Sequence, residues 1–115
     1  MKDYKELEVW KKGIALVLAI YEILKKFPKD EQYALADQIK RAGVSIPSNI
    51  AEGASRNTTK EFIQFLYIAL GSASELETQI IIAEKLGYVK NEETLLSEIT
   101  IIRKMLNALI SSLKR

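Results

Sequence analysis

The segment RAGVSIPSNIAEG, residues 41–53, places a proline inside an amphipathic helical pattern. Proline lacks a backbone N–H, and its ring crowds the carbonyl of the residue four positions earlier, which here is Gly43. A glycine at that position makes a bend less costly. We therefore predict that the helix continues through Pro47 with a kink and curves around a neighbouring helix.

Polar residues accompany Pro47 along one side of the same helix. They step by three and four and comprise Gln38, Arg41, Ser45, Ser48, Asn49 and Glu52. A second polar set follows in a later helical segment and comprises Glu75, Glu77 and Gln79. Ser72 and Glu61 step along that segment at helical spacing with Glu75 and Gln79. We predict that the two sets meet within a subunit or between subunits, and that Arg41 pairs with Glu75 or Glu77 and sets the register. A solvated face is the alternative.

Four segments carry helical patterns of apolar residues, and the predicted helices cover residues 6–27, 33–52, 59–86 and 92–114. Short loops join them, and each has a stripe that repeats at about 3.5 residues. The sequence therefore predicts an all-α, up-down-up-down antiparallel four-helix bundle that forms one domain over residues 1–115.

Local signals mark the predicted helix ends. Gly53 and Gly87 are expected to close the second and third helices in the left-handed conformation. Thr58 is the expected N-cap of the third helix, with Glu61 completing a capping box, and Asn91 is the expected N-cap of the fourth. The loop GASRNTTK, residues 53–60, also offers hydroxyls and basic side chains to a phosphate, but capping is the favoured interpretation.

The first helix is apolar on more of its surface than one bundle core requires. One stripe comprises Leu7, Trp10, Ile14, Val17, Tyr21 and Leu24. The other comprises Val9, Gly13, Leu16, Ile20, Ile23 and Phe27. Because a subunit with neighbours needs apolar surface beyond its own core, this pattern favours a homo-oligomer. A monomer with a buried first helix is the alternative.

Composition excludes most catalytic chemistry. The chain has 115 residues and contains neither cysteine nor histidine, so thiol nucleophiles, imidazole bases and the usual zinc sites are absent. Carboxylate-bridged metal centres in helical bundles use Glu-x-x-His motifs, which also need histidine. We predict no enzymatic activity, no cofactor and no metal. The apolar runs are too short to span a membrane, so we expect a soluble, cytoplasmic protein.

Charge leaves nucleic-acid binding open. The net charge is +2, but in an antiparallel bundle one end would carry an excess of about five positive charges. The basic residues assigned to that end are Lys2, Lys5, Lys11, Lys12, Arg56, Lys60, Arg103, Lys104, Lys114 and Arg115. Repeated around an oligomer, this excess would attract RNA. Ordinary solubilising residues at helix ends are the alternative.

Several motifs together resemble a known family. They are LEVWKK, FPKDEQYALADQIKRAGVSIPSNIAEG, TKEFIQFLYIALGSASELETQ and LGYV. Over about residues 6–89 the chain resembles the small bacterial four-helix bundle proteins encoded by intervening sequences within 23S ribosomal RNA genes. The resemblance implies a four-helix bundle that assembles as a cyclic pentamer. A related branch, the accessory variability protein of diversity-generating retroelements, is more basic and binds nucleic acid and a reverse transcriptase.

Two functions follow as expectations. The first is a non-enzymatic, homo-oligomeric adaptor, with RNA or a reverse transcriptase as its partner and a link to rRNA intervening sequences. The second is a protein–protein interaction scaffold without a nucleic-acid role. An enzyme is the least favoured class, because no nucleophile, base or metal cluster emerges with supporting partners.

Overall fold

Four helices account for most of the computed structural model, which describes residues 3–115. They are α1 (Glu8–Leu24), α2 (Leu35–Ala54), α3 (Thr59–Lys85) and α4 (Glu93–Lys114), and short 3-10 turns cover Tyr4–Glu6 and Lys29–Glu31. Each helix packs against the next one along the chain, and α4 packs back against α1. The predicted four-helix bundle is confirmed. It measures 44 × 23 × 20 Å.

The core forms from one stripe of each helix. The largest fully buried side chains are Ile20, Ile39, Ile46, Ile50, Leu66, Leu76, Ile80, Ile99, Ile102 and Leu106. Buried alanines on α2 and α3 lie between them and allow these two helices to approach closely.

One of the two apolar stripes of α1 is buried along its whole length, whereas the other is fully buried only at Leu24. Leu16 and Ile20 are buried, whereas Ile14 and Tyr21, on the other stripe, are 37% and 46% exposed. The exposed part of the other stripe runs beside α2 and lines a groove there with residues of that helix. It supplies the surface described below.

Helix α2 continues through Pro47, as predicted, and ends at Ala54, beyond the predicted end at residue 52. The Pro47 side chain is buried against α1 at Gly13, where an added Cβ would lie 3.3 Å from Cβ of Pro47. Proline here is therefore part of the α1–α2 contact. The bend angle at Pro47 stays a prediction.

Two predicted helix ends are wrong. Gly53 does not terminate α2, because it is helical, buried and followed by Ala54. Packing explains why residue 53 is a glycine, since a Cβ at this position would lie 2.6 Å from Cβ of Phe65 on α3. Asn91 does not cap α4 either. It takes the left-handed conformation with φ of 56°, and Glu92 is the N-cap.

The other two end signals, the Thr58 N-cap and Gly87, are confirmed. The Glu61 carboxylate does not complete the capping box, because it accepts from the Thr58 hydroxyl at 3.0 Å and not from the Thr58 backbone N–H. Thr58 Oγ1 accepts a hydrogen bond from the Glu61 backbone N–H at 3.2 Å. Gly87 has a φ of 80°, and the Tyr88 N–H donates to the Ala83 carbonyl at 3.0 Å, which forms the expected left-handed C-terminal motif. Burial, together with the nearby Glu31 carboxylate, raises the pKa of the Tyr88 hydroxyl.

The close contact at Gly53 predicts opposite effects for two glycine-to-alanine changes. Gly53→Ala should lower the free energy of unfolding, because overpacking costs about 1–3 kcal/mol and exceeds the gain in helix propensity. Gly71→Ala on α3 is the matched control: nothing lies within 4 Å of the added Cβ, so it should stabilise by about 0.5–1 kcal/mol. Urea unfolding at low protein concentration measures both. Equal stabilisation by the two changes would contradict the contact.

Candidate functional site

A polar cluster joins α2 to α3 inside the bundle. The Ser45 and Ser72 hydroxyls are 2.8 Å apart, and Ser72 is buried. Asn49 Nδ2 donates to the Ser45 carbonyl at 2.7 Å and to the Ser45 hydroxyl at 2.8 Å. The two polar sets therefore contact each other within the subunit at Ser45 and Ser72. The contacts of this cluster fix the register of α2 against α3.

Arg41 has a different partner in the subunit from the predicted one. Its Nε donates to Asp37 Oδ2, one turn earlier on α2, at 2.8 Å, and its side chain is 80% exposed. Glu77 instead pairs with Arg103 of α4 at 3.3 Å, and Glu75 accepts from Gln79 at 3.4 Å. Sequence reasoning missed Asp37, although its spacing of four residues before Arg41 is a recognisable signal. The intersubunit form of the pair stays a prediction.

The other members of the polar sets are separated. Ser48 is exposed, and Glu52 pairs with Arg56 at 2.7 Å. Gln79 is buried, and its Oε1 has no hydrogen-bond partner among residues 3–115. The two predicted stripes thus form a part-buried hydrogen-bonded cluster with exposed ion pairs around it. They do not form one continuous network within the subunit.

An exposed apolar groove runs between α1 and α2. We call it the α1–α2 groove, and it is lined by Tyr4, Trp10, Ile14, Val17, Val44, Pro47, Ser48 and Ala51 around a 260 Å³ cavity. A wider cavity of 570 Å³ continues it toward Tyr21, Lys40 and Arg41. Residues of α2 form the floor of the groove, and the groove is open there because Ser48 and Ala51 have small side chains. Large apolar side chains of α1 form its wall.

A second apolar surface lies on α3. We call it the α3 ridge and define it as Ile68, Glu75, Ile82 and Leu86. Ile68, Ile82 and Leu86 are each between 42% and 55% exposed, and Glu75 is exposed between them. Residues 68, 75 and 82 are seven positions apart, so they share one side of the helix. The exposed side of α4, by contrast, carries mostly polar residues such as Ser97, Lys104 and Asn107.

Much of the predicted basic end is already paired. Lys11 pairs with Glu8 at 3.4 Å. Lys12 pairs with Glu98 at 3.8 Å, Arg56 with Glu52 at 2.7 Å, and Arg103 with Glu77 at 3.3 Å. Lys114 Nζ donates to the Tyr67 hydroxyl at 2.8 Å. Arg103 and Lys104 lie at mid-length of α4, so their assignment to the end is wrong.

Three predicted RNA contacts keep an end position without an ion pair in the described chain. They are Lys5, Lys60 and Arg115. The antiparallel topology places the start of α1, the start of α3 and the end of α4 at one end of the bundle. Lys2 lies outside the described residues.

A third groove lies between α1 and α4. Ala15 and Ala19 leave a cavity of 370 Å³ that Leu16, Ile23 and Leu95 also line. Two ion pairs cross it, Lys12 with Glu98 and Lys26 with Glu92, each at 3.8 Å. The two alanines, four residues apart, are the signal that sequence reasoning missed. Small side chains at that spacing lower one side of a helix.

Comparison with known proteins identifies the relatives of this bundle. A family model described as 23S rRNA-intervening sequence protein matches residues 5–108. The chain belongs to this family. A solved structure from Bacteroides thetaiotaomicron VPI-5482, described as a protein with unknown function from the S23 ribosomal protein family, is 28% identical, with a TM-score of 0.82 over 90% of this chain and 95% of that one. A comparison with curated proteins gives no match.

Two features are absent from residues 3–115. None of the helices in that range is both long and apolar enough to cross a membrane. The same residues contain no group of three or more Asp or Glu side chains placed to hold a metal ion.

The polar cluster predicts a stability difference between two serines. Ser72→Ala should lower the free energy of unfolding by about 1–2 kcal/mol, because the part-buried Ser45 hydroxyl loses a partner. Ser48→Ala, on the exposed side of α2, should change it by less than about 0.5 kcal/mol. Thermal and urea unfolding at low protein concentration, where assembly through the groove that Ser48 lines contributes least, give both values. If the two variants were equally stable, the cluster would not hold α2 against α3.

Proposed function

We propose that the protein is a non-enzymatic, homo-oligomeric helical bundle that works as an assembly scaffold. The observation that carries this proposal is the α1–α2 groove, where the middle of one apolar stripe of α1, from Trp10 to Tyr21, lies outside the buried core. Exposed apolar stripes with polar surroundings are typical of protein interfaces. The family resemblance supports a ring of five subunits.

The energetics favour association over solvation of this surface. Each Å² of apolar surface removed from water contributes about 25 cal/mol, and Trp10, Ile14, Val17 and Tyr21 lie together on it. A stable interface removes about 800 Å² from each partner. One side of a bundle 44 Å long and about 20 Å wide offers an area of that order. The polar exterior of α4 then faces water.

The chemistry of the polar cluster supports a structural role. Asn49 donates to Ser45, and the two serine hydroxyls bond to each other. A serine nucleophile needs a general base within hydrogen-bond reach, and Ser45 has an amide donor and a second hydroxyl instead. We therefore assign Ser45, Ser72 and Asn49 to packing of the bundle and not to catalysis.

Self-association predicts a mass that depends on concentration. Light scattering after size exclusion, and sedimentation velocity from low to high micromolar concentration, should give a multiple of the 13.0 kDa subunit. Five subunits are expected. The apolar stripe of α1 that assembly would remove from water should make the assembly persist in high salt, because hydrophobic association is not screened. A single 13.0 kDa species at every concentration would overturn the proposal.

RNA contact at the basic end is the second candidate function. Lys5, Lys60 and Arg115 share that end without ion pairs in the described chain, and Lys114 lies beside them. In a ring these charges repeat around one rim, and summed fields of that kind attract polyanions. The description of the family connects it with 23S rRNA. A reverse transcriptase partner rests on the resemblance alone.

Salt dependence tests the RNA candidate. Affinity for a structured fragment of 23S rRNA should fall as salt rises, and Lys60→Gln with Arg115→Gln should flatten the log–log slope by about one for each phosphate that is no longer neutralised. Lys29→Gln with Lys90→Gln, at the opposite end, is the control with the same change in charge. An equal fall in affinity for both pairs of substitutions, or no binding at low salt, would reject the rim as an RNA surface.

A further inference from the structure

The exposed apolar surface of the subunit has two parts with different shapes. The α1–α2 groove is concave, with Ser48 and Ala51 on its floor. The α3 ridge is convex, because Ile68, Ile82 and Leu86 project from it with about half of each side chain exposed. We propose that the α1–α2 groove of one subunit binds the α3 ridge of a second copy, head to tail. This inference rests on the proposed self-association.

Charge supports the pairing of unlike surfaces. Lys40, Arg41 and Asp37 lie at the open end of the groove and leave one net positive charge there. Arg41 is paired with Asp37 on one side, but 80% of its side chain stays exposed. Glu75 is the exposed acid at the centre of the ridge. Groove against ridge therefore brings a guanidinium to a carboxylate. Ridge against ridge would place two Glu75 carboxylates together, and groove against groove would gather the cations, so charge disfavours both symmetric arrangements.

The spacing of residues also fits. Arg41 and Ser48 are seven residues apart on α2, which is about 10.5 Å along a helix. Glu75 is separated by the same seven residues from Ile68 on one side and from Ile82 on the other. When Glu75 meets Arg41, one of these isoleucines lies level with Ser48. That is where the groove is lined by Ile14, Val44 and Pro47.

The second copy is the occupant that this chain itself supplies. Both surfaces are present on every subunit, and each is left unpaired when a symmetric dimer forms through the other. A head-to-tail contact uses both on all subunits once the ring closes. Arg41 and Glu75, which do not pair within the subunit, become partners across the contact.

Mixing of two disabled variants tests the arrangement. Val44→Arg blocks the groove, and Ile68→Arg with Ile82→Arg blocks the ridge; all three positions are at least 40% exposed, so folding should be retained. Each variant alone should sediment as a monomer. A 1:1 mixture should give a dimer and nothing larger, because one intact groove meets one intact ridge. Ile81→Arg, next to Ile82 but on another side of α3, is the control and should assemble like the unchanged protein.

The outcomes separate this inference from the proposed function. A mixture that stays monomeric, or a groove variant that still assembles alone, overturns the head-to-tail contact while self-association stands. An unchanged protein that is monomeric at all concentrations overturns both. Arg41→Met and Glu75→Gln should each weaken assembly, and the double variant should weaken it no more than the larger single effect. Additive effects would contradict the Arg41–Glu75 contact.

Discussion

The close packing of α2 against α3 is the contact on which the remaining architecture depends. Buried alanines and Gly53 bring the two helices together, and the Ser45–Ser72–Asn49 cluster sets their register. With α2 held in this way, its opposite side carries the small side chains of Ser48 and Ala51, which form the floor of the α1–α2 groove. Pro47 meets α1 there, so one apolar stripe of α1 is buried along its length and the middle of the other lies beside α2 as a groove wall. The surface that we assign to assembly is thus a consequence of how the core closes.

The bundle itself could be predicted because its signals are local or periodic. The stripe of buried residues on each helix repeats every three and four positions, and Thr58 and Gly87 act through bonds to residues a few positions away. Gly53 could not be interpreted in the same way, because its reason is Phe65 on another helix. A glycine near a helix end has two explanations, a turn or a close approach, and only packing separates them.

The candidate site was less predictable for a related reason. Sequence periodicity shows that α1 has two apolar stripes, but it does not say which one the other helices cover. The partner of Arg41 could not be identified from spacing alone. Asp37 on its own helix and Glu75 or Glu77 on α3 are all acidic residues that could reach it. The residues assigned to the basic end show that ion-pair partners could not be predicted from the sequence. Arg103 reaches Glu77 only because α3 and α4 take one particular register. Side-chain partners follow from that register and not from composition.

The groove between α1 and α4 has a consequence for local unfolding of the bundle. Alanines at positions 15 and 19 leave this pair of helices with the thinnest apolar contact, and two surface ion pairs add little to it. Local opening begins where buried apolar contact is least. We therefore expect helix α4 to separate first and its amide protons to exchange with solvent sooner than those of α2 and α3. A neighbour bound at the α1–α2 groove would not cover α4. Helix α4 could therefore still move away from α1 while the α1–α2 groove stays occupied.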